Sequence, residues 1–157
     1  MLEHAKLTVS ALKSRGWHIS FAESCTGGLA AGALVDVPSA SAVLDASFVT
    51  YANDAKIKYT HVNPQTLLDH GAVSEEVAAE MARGVAAETG SEVGVGISGI
   101  AGPEGGTPEK PVGTVCFGFY VDGKLSACTC HFSDLSREEV RAAAVRFVFR
   151  TLTKLLK

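Results

Sequence analysis

The chain has 157 residues, 46% of them apolar, which is enough for one domain with its own core and no disulfide or metal staple. Its 14 basic and 17 acidic side chains leave a net charge of −3. No basic stripe is present for duplex nucleic acid or an anionic membrane surface, so neither is expected as the main partner. No apolar run reaches the length of a transmembrane helix, and the opening Met1-Leu-Glu-His-Ala-Lys6 lacks the profile of a signal peptide. A cytoplasmic protein is therefore expected, with Cys25, Cys116, Cys128 and Cys130 as free thiols.

In chain order, Leu2, Ala5, Leu7, Val9 and Leu12 recur near helical spacing, and Gly16 ends that helix. His18 to Ala22 alternates as a short strand ending near Glu23, and Ser24-Cys-Thr-Gly-Gly28 is a tight turn. The apolar Leu29 to Val35 leaves the turn as a helix and Pro38 breaks the pattern. Val43 to Ala52 has strand composition, and Asn53-Asp54 can cap a short helix carrying Lys56. Asn63-Pro64 opens another helix, and Ser74-Glu-Glu opens a long one that runs to Gly90. Glu92 to Ser98 places Val93, Val95 and Ile97 on one strand face and small residues on the other. After the Gly- and Pro-rich loop Gly99–Gly113, strands Val112–Val121 and Lys124–His131 flank the hairpin turn Asp122-Gly123. Ser136-x-x-Glu139 is a capping box opening a helix to Leu156. The alternation predicts a three-layer α/β/α sandwich with a mixed β-sheet, one domain over residues 1–157.

Three segments could carry chemistry. In Ala22-Glu-Ser-Cys-Thr-Gly-Gly28 a serine sits between a strand and a helix start, where free amides and the helix dipole favour an oxyanion or phosphate. The same segment also reads as an ordinary strand–helix turn with Ser24 or Thr26 as the cap. Cys25 is open to two readings, a thiol activated at a helix start or a buried one. In Thr50-Tyr-Ala-Asn-Asp-Ala-Lys56, Tyr51 and Lys56 can reach one cleft. A lysine serves there as a base only if burial or another cation lowers its pKa from ~10.4; otherwise it is a solvated surface lysine. In Ser98–Gly113, glycines let the backbone approach a ligand, and Lys110 is the loop's cation. The alternative is a plain connection between strands. The five histidines form no metal-binding spacing.

Taken together, Ala22–Gly28, Phe48-Val-Thr-Tyr-Ala-Asn-Asp-Ala-Lys56, Gly71-Ala-Val-Ser74 and Ile97-Ser-Gly-Ile-Ala-Gly-Pro-Glu-Gly-Gly106 through Lys110-Pro-Val-Gly-Thr114 give a chain that resembles the CinA C-terminal domain family. Stand-alone members of that family include nicotinamide-nucleotide amidases. The resemblance implies hydrolysis of the carboxamide of nicotinamide mononucleotide (NMN) to nicotinate mononucleotide and ammonia, without metal or cofactor, by a Ser/Lys arrangement. Carried over by position, Ser24 is the nucleophile, Lys56 the base and Tyr51 a supporting hydroxyl, with Ser41 a second contender for the nucleophile. Substrate contacts are expected from Glu23, Thr26, Gly27, Gly28, Ser41, Ser98, Gly99, Gly102, Gly105, Gly106 and Lys110, the 98–106 segment and Lys110 holding the phosphate. A homodimer is expected. The chain departs from the family pattern at Lys58-Tyr-Thr-His61 and Thr107-Pro108. The alternative function is a catalytically silent nucleotide-binding module.

Overall fold

The computed structural model describes residues 2–157. Six helices and five strands follow in the order α1 (Leu2–Arg15), β1 (Ile19–Glu23), α2 (Leu29–Val35), β2 (Leu44–Val49), α3 (Asn53–Thr60), α4 (Pro64–His70), α5 (Glu75–Thr89), β3 (Val93–Gly99), β4 (Thr114–Val121), β5 (Lys124–His131) and α6 (Arg137–Leu155). The strands form one sheet in the order β2-β1-β3-β4-β5. β1 pairs in parallel with both β2 and β3, whereas β3–β4 and β4–β5 are antiparallel. The sheet is thus mixed, as expected, and helices cover both faces. No helix is long and apolar enough to cross a membrane.

The two faces are packed differently, and the sequence of β3 shows why. Val93, Val95 and Ile97 turn to the face covered by α1, α2 and α6, where they join Phe21, Phe117, Val148 and Phe149 in the main core. Gly94 and Gly96, with Gly118 of β4, turn to α5. A Cβ on Gly94 would collide with the carbonyl oxygen of Ala82, and one on Gly96 or Gly118 with that of Ala78. The helix therefore lies directly on the sheet backbone, an approach that only glycine permits. A smaller core of Ala22, Val62, Val77, Met81 and Val85 fills the remainder of this layer.

Most predicted ends hold, and the departures have local causes. β2 stops at Val49, and its last ladder bond is Thr50 N–H to the Glu23 carbonyl at 2.8 Å, where β1 also ends. The cap of α3 is Ala52 in extended backbone, without a side-chain bond, so Asn53 and Asp54 lie inside the helix. β4 starts at Thr114, because a turn bonds Thr114 N–H to the Pro111 carbonyl and Gly113 takes φ +92°. The Asn63, Ser74 and Ser136 caps form as expected, the last as a full capping box.

Gly118→Ala forces a methyl group into the Ala78 carbonyl. The expected loss is ~1–3 kcal/mol, or a Tm lower by about 4–10 °C by calorimetry, with β-hairpin controls such as Ser126→Ala unchanged.

Candidate active site

The carboxyl ends of β1 and β3 lie side by side, with β2 on one side and β4 on the other. The connections leave in opposite directions here, which opens a crevice beyond the strand ends, the usual ligand position in open α/β sheets. Ser24 follows β1 at this point, and its amide bonds the Ile97 carbonyl of β3 at 2.9 Å.

The turn after β1 is organised by Glu23. Its carboxylate is fully buried. It accepts bonds from Thr26 Oγ1 (2.6 Å), Gly28 N–H (3.0 Å), Ala30 N–H (3.1 Å), Ala31 N–H (2.9 Å) and Ser47 Oγ (3.3 Å). The anion position at the start of α2 is therefore occupied by the protein's own carboxylate. The Glu23 carboxylate, the Thr26 hydroxyl and the Gly28 amide, all expected to contact substrate, are engaged with one another here. Gly27 N–H is also committed, donating to the Ser24 carbonyl at 3.1 Å.

Lys56 comes from α3, the helix that follows β2. Its side chain is 1% exposed. Nζ lies 3.2 Å from Ser24 Oγ and donates to the Thr50 carbonyl at 2.8 Å. No carboxylate pairs with it among the described residues. Burial pushes the Lys56 ammonium below the ordinary lysine range. This is the desolvated lysine that the base reading required. Cys25 moves the other way. Burial, with the Glu23 charge behind it, raises the thiol to about 11, the opposite of an activated thiol at a helix start.

A cavity of about 220 Å³ opens over this pair, lined by Ser24, Cys25, Tyr51, Lys56, Gly99 and Arg137 among others. Tyr51 is at its mouth, 63% exposed. Its hydroxyl accepts a bond from Arg137 Nη2 at 3.2 Å, while Arg137 Nη1 donates to the Gly102 carbonyl at 2.8 Å. Ser98 lines the cavity too, but its hydroxyl is turned to the Ala72 carbonyl at 2.6 Å.

Several expected contacts lie elsewhere. Ser41 is exposed in a single 3₁₀ turn, Ala40–Ala42, before β2. It is at the amino end of the strands and Ser24 at their carboxyl end, separated by a strand's length of roughly 15–20 Å. That placement removes it as a contender for the nucleophile. Gly105 and Gly106 are exposed on the outer loop. Lys110 Nζ bonds the His70 carbonyl at 2.6 Å and borders a different cavity, with Glu75, Glu76 and Glu109. Conversely, sequence reading missed Arg137 and Arg141. Arg141 Nε and Nη2 hold the Cys25 and Thr26 carbonyls at 3.0 and 3.1 Å. Nothing near these arginines in the sequence marks them; only the packing of α6 on α2 brings them to the turn. Ala72 and Val73 also line the cavity, and the Gly71–Ser74 stretch was the signal for them.

Residues 2–156 match the CinA C-terminal domain, and the chain belongs to that family. A relative from Enterobacter agglomerans, named nicotinamide-nucleotide amidohydrolase PncC, is 50% identical over 143 residues, covering 90% of this chain and 87% of its own. A CinA-like protein of Kosmotoga olearia is 46% identical over 154 residues, 96% of this chain but 37% of that protein. Two solved structures are close in fold. The competence/damage inducible protein CihA from Agrobacterium tumefaciens has a TM-score of 0.96 at 40% identity, covering 99% of this chain and 95% of its own. The CinA superfamily protein ECK1530/EC0983 from Escherichia coli has a TM-score of 0.94 at 37% identity, covering 99% and 90%.

The depressed Lys56 pKa sets a stability slope. In the window between the folded value and ~10.4, the unfolded chain binds a proton that the fold does not, so stability rises with pH. Denaturant titrations at several pH values are expected to show this gain in the wild type and its loss in Lys56→Met. Equal slopes in the two proteins would sink the assignment. Glu23→Leu, which strands several buried amides, is expected to cost at least ~3 kcal/mol in the same experiment.

Proposed function

We propose that the chain is a serine amidohydrolase that converts NMN to nicotinate mononucleotide and ammonia. One observation carries this reading: a buried lysine without a counter-ion stands 3.2 Å from the hydroxyl of a serine placed at the carboxyl end of β1. The named activity of the Enterobacter agglomerans relative supplies the substrate class.

The chemistry follows from the geometry. Neutral Lys56 takes the Ser24 proton, and the Thr50 carbonyl keeps the amine oriented. Ser24 Oγ attacks the carboxamide carbon, and the carbonyl electron pair moves onto oxygen. Backbone N–H groups of the turn receive that oxyanion, each worth ~2.7–4 kcal/mol in the transition state. The Lys56 ammonium returns its proton to nitrogen as the C–N bond breaks, and ammonia departs. Water then attacks the acyl-enzyme as Lys56 accepts its proton, and Lys56 returns that proton to Ser24 Oγ as the ester bond breaks. No step requires a metal, and Ser–Lys pairing is a recognised variant of the serine triad. Tyr51 supports the site from the mouth. Arg137 adds a positive charge beside it, suited to the phosphate end of a nucleotide.

Ammonia release from NMN by purified protein tests this reading. Ser24→Ala is expected to lose at least ~10⁴-fold in kcat and Lys56→Ala at least ~10²-fold. Ser41→Ala and Cys25→Ala should keep turnover, and a chelator should leave it unchanged. For the wild type, kcat/KM should rise with pH as Lys56 loses its proton, levelling off below ~10.4. A wild type that binds NMN without releasing ammonia would overturn the catalytic reading and favour a silent binding module.

A further inference from the structure

The turn after β1 contains five residues whose backbone donors can be accounted for one by one. Ser24 N–H goes to Ile97, Gly27 N–H to Ser24 and Gly28 N–H to Glu23. Among the described residues, the Cys25 and Thr26 N–H groups donate to no other residue's oxygen. Both belong to the turn beside Ser24 Oγ, and Cys25 lines the cavity.

The Cys25 N–H shares its peptide with the Ser24 carbonyl that Gly27 N–H holds, and Arg141 fixes how the Thr26 N–H is presented. Its fork bridges two consecutive carbonyls, Nε to Cys25 at 3.0 Å and Nη2 to Thr26 at 3.1 Å. A trans peptide is planar, with its C=O and N–H pointing in opposite directions. Drawing the Cys25 carbonyl toward α6 therefore turns the Thr26 N–H away from α6. The same rule is met in the next peptide, where the Thr26 carbonyl faces Arg141 and the Gly27 N–H faces the Ser24 carbonyl. The clamp is bidentate and half-buried, so the turn is held in one orientation, and its charge further polarises the peptides it holds.

We infer that Arg141 is a positioning residue, which aims the Thr26 amide into an oxyanion hole for Ser24 that the Cys25 amide completes, while touching no reacting atom itself. This rests on the reading of Ser24 as the nucleophile. It also separates the two α6 arginines: Arg137 faces the cavity mouth, and Arg141 works from behind the turn.

Arg141→Lys keeps the charge and the aliphatic stem but loses the rigid planar fork; Arg141→Met removes both charge and fork. With NMN, both variants are expected to lose ~10²-fold or more in kcat, with KM little changed and the pH inflection of Lys56 in place. A merely structural role is separated by thionicotinamide mononucleotide, whose developing thiolate is a weaker acceptor. The preference for amide over thioamide should shrink about tenfold in the variants, because aimed donors are what reward oxygen. Labelling of Ser24 by a fluorophosphonate, which also places an oxygen in the hole, should slow in parallel. Near-wild-type kcat in Arg141→Lys would overturn the inference, as would a loss shared equally by amide and thioamide. If the wild type releases no ammonia from NMN, the substrate reading fails alone. The labelling rates then decide the role of Arg141: slower in the variants supports it, equal rates overturn it. An unlabelled wild-type Ser24 would overturn both.

Discussion

The site depends on a buried carboxylate that does not react. Glu23 ends β1 and gathers three backbone amides and two hydroxyls around one charge. Such a charge is tolerated out of water only when its lone pairs are fully engaged, and these donors engage them. The turn consequently has one conformation, and Ser24 leaves the strand in one direction. An oxyanion at the start of α2 would compete with this carboxylate, so the stabilising amides must come from earlier in the turn.

Lys56 is held by a second chain of constraints. β2 carries the backbone to Thr50, whose N–H bonds the Glu23 carbonyl and whose own carbonyl receives the lysine. α3 then packs on α5 so closely that a Cβ at Gly84 would collide with the Thr60 carbonyl. α5 in turn rests on the glycines of β3 and β4. Ser24 and Lys56 thus refer to one rigid frame, the sheet, rather than to a flexible loop. Desolvation of the amine is a by-product of that packing, and it is also what makes the amine a base. The cost in stability and the gain in chemistry have one origin.

Much of the fold was legible because its signals are local. Alternation in β3, the caps at Asn63, Ser74 and Ser136, and Asp122-Gly123 each dictate structure within a few residues. Ser24 and Lys56 were legible through their motifs, but the burial that lowers the lysine pKa is a tertiary fact. Glu23 was expected to face the substrate; the register that turns its side chain inward under α2 cannot be read from its neighbours. Lys110 was credited as the cation of a glycine loop, yet its amine is bonded to the His70 carbonyl at the end of α4. Arg137 and Arg141 were illegible because they lie more than a hundred residues from the turn and meet it only through the helix layer.

The place of α6 in the chain has a consequence for biosynthesis. Lys56 and Ser24 leave the ribosome well before Arg137, and β4 and β5 separate the two sets. A nascent chain can pair its parallel strands and bring serine and lysine together while the turn still lacks its guanidinium. Activity then arrives with the docking of one helix, late and all at once. The same helix brings Val140, Val145, Val148, Phe149 and Leu152 to the main core, so the guanidinium that holds the turn arrives with the side chains that close the fold.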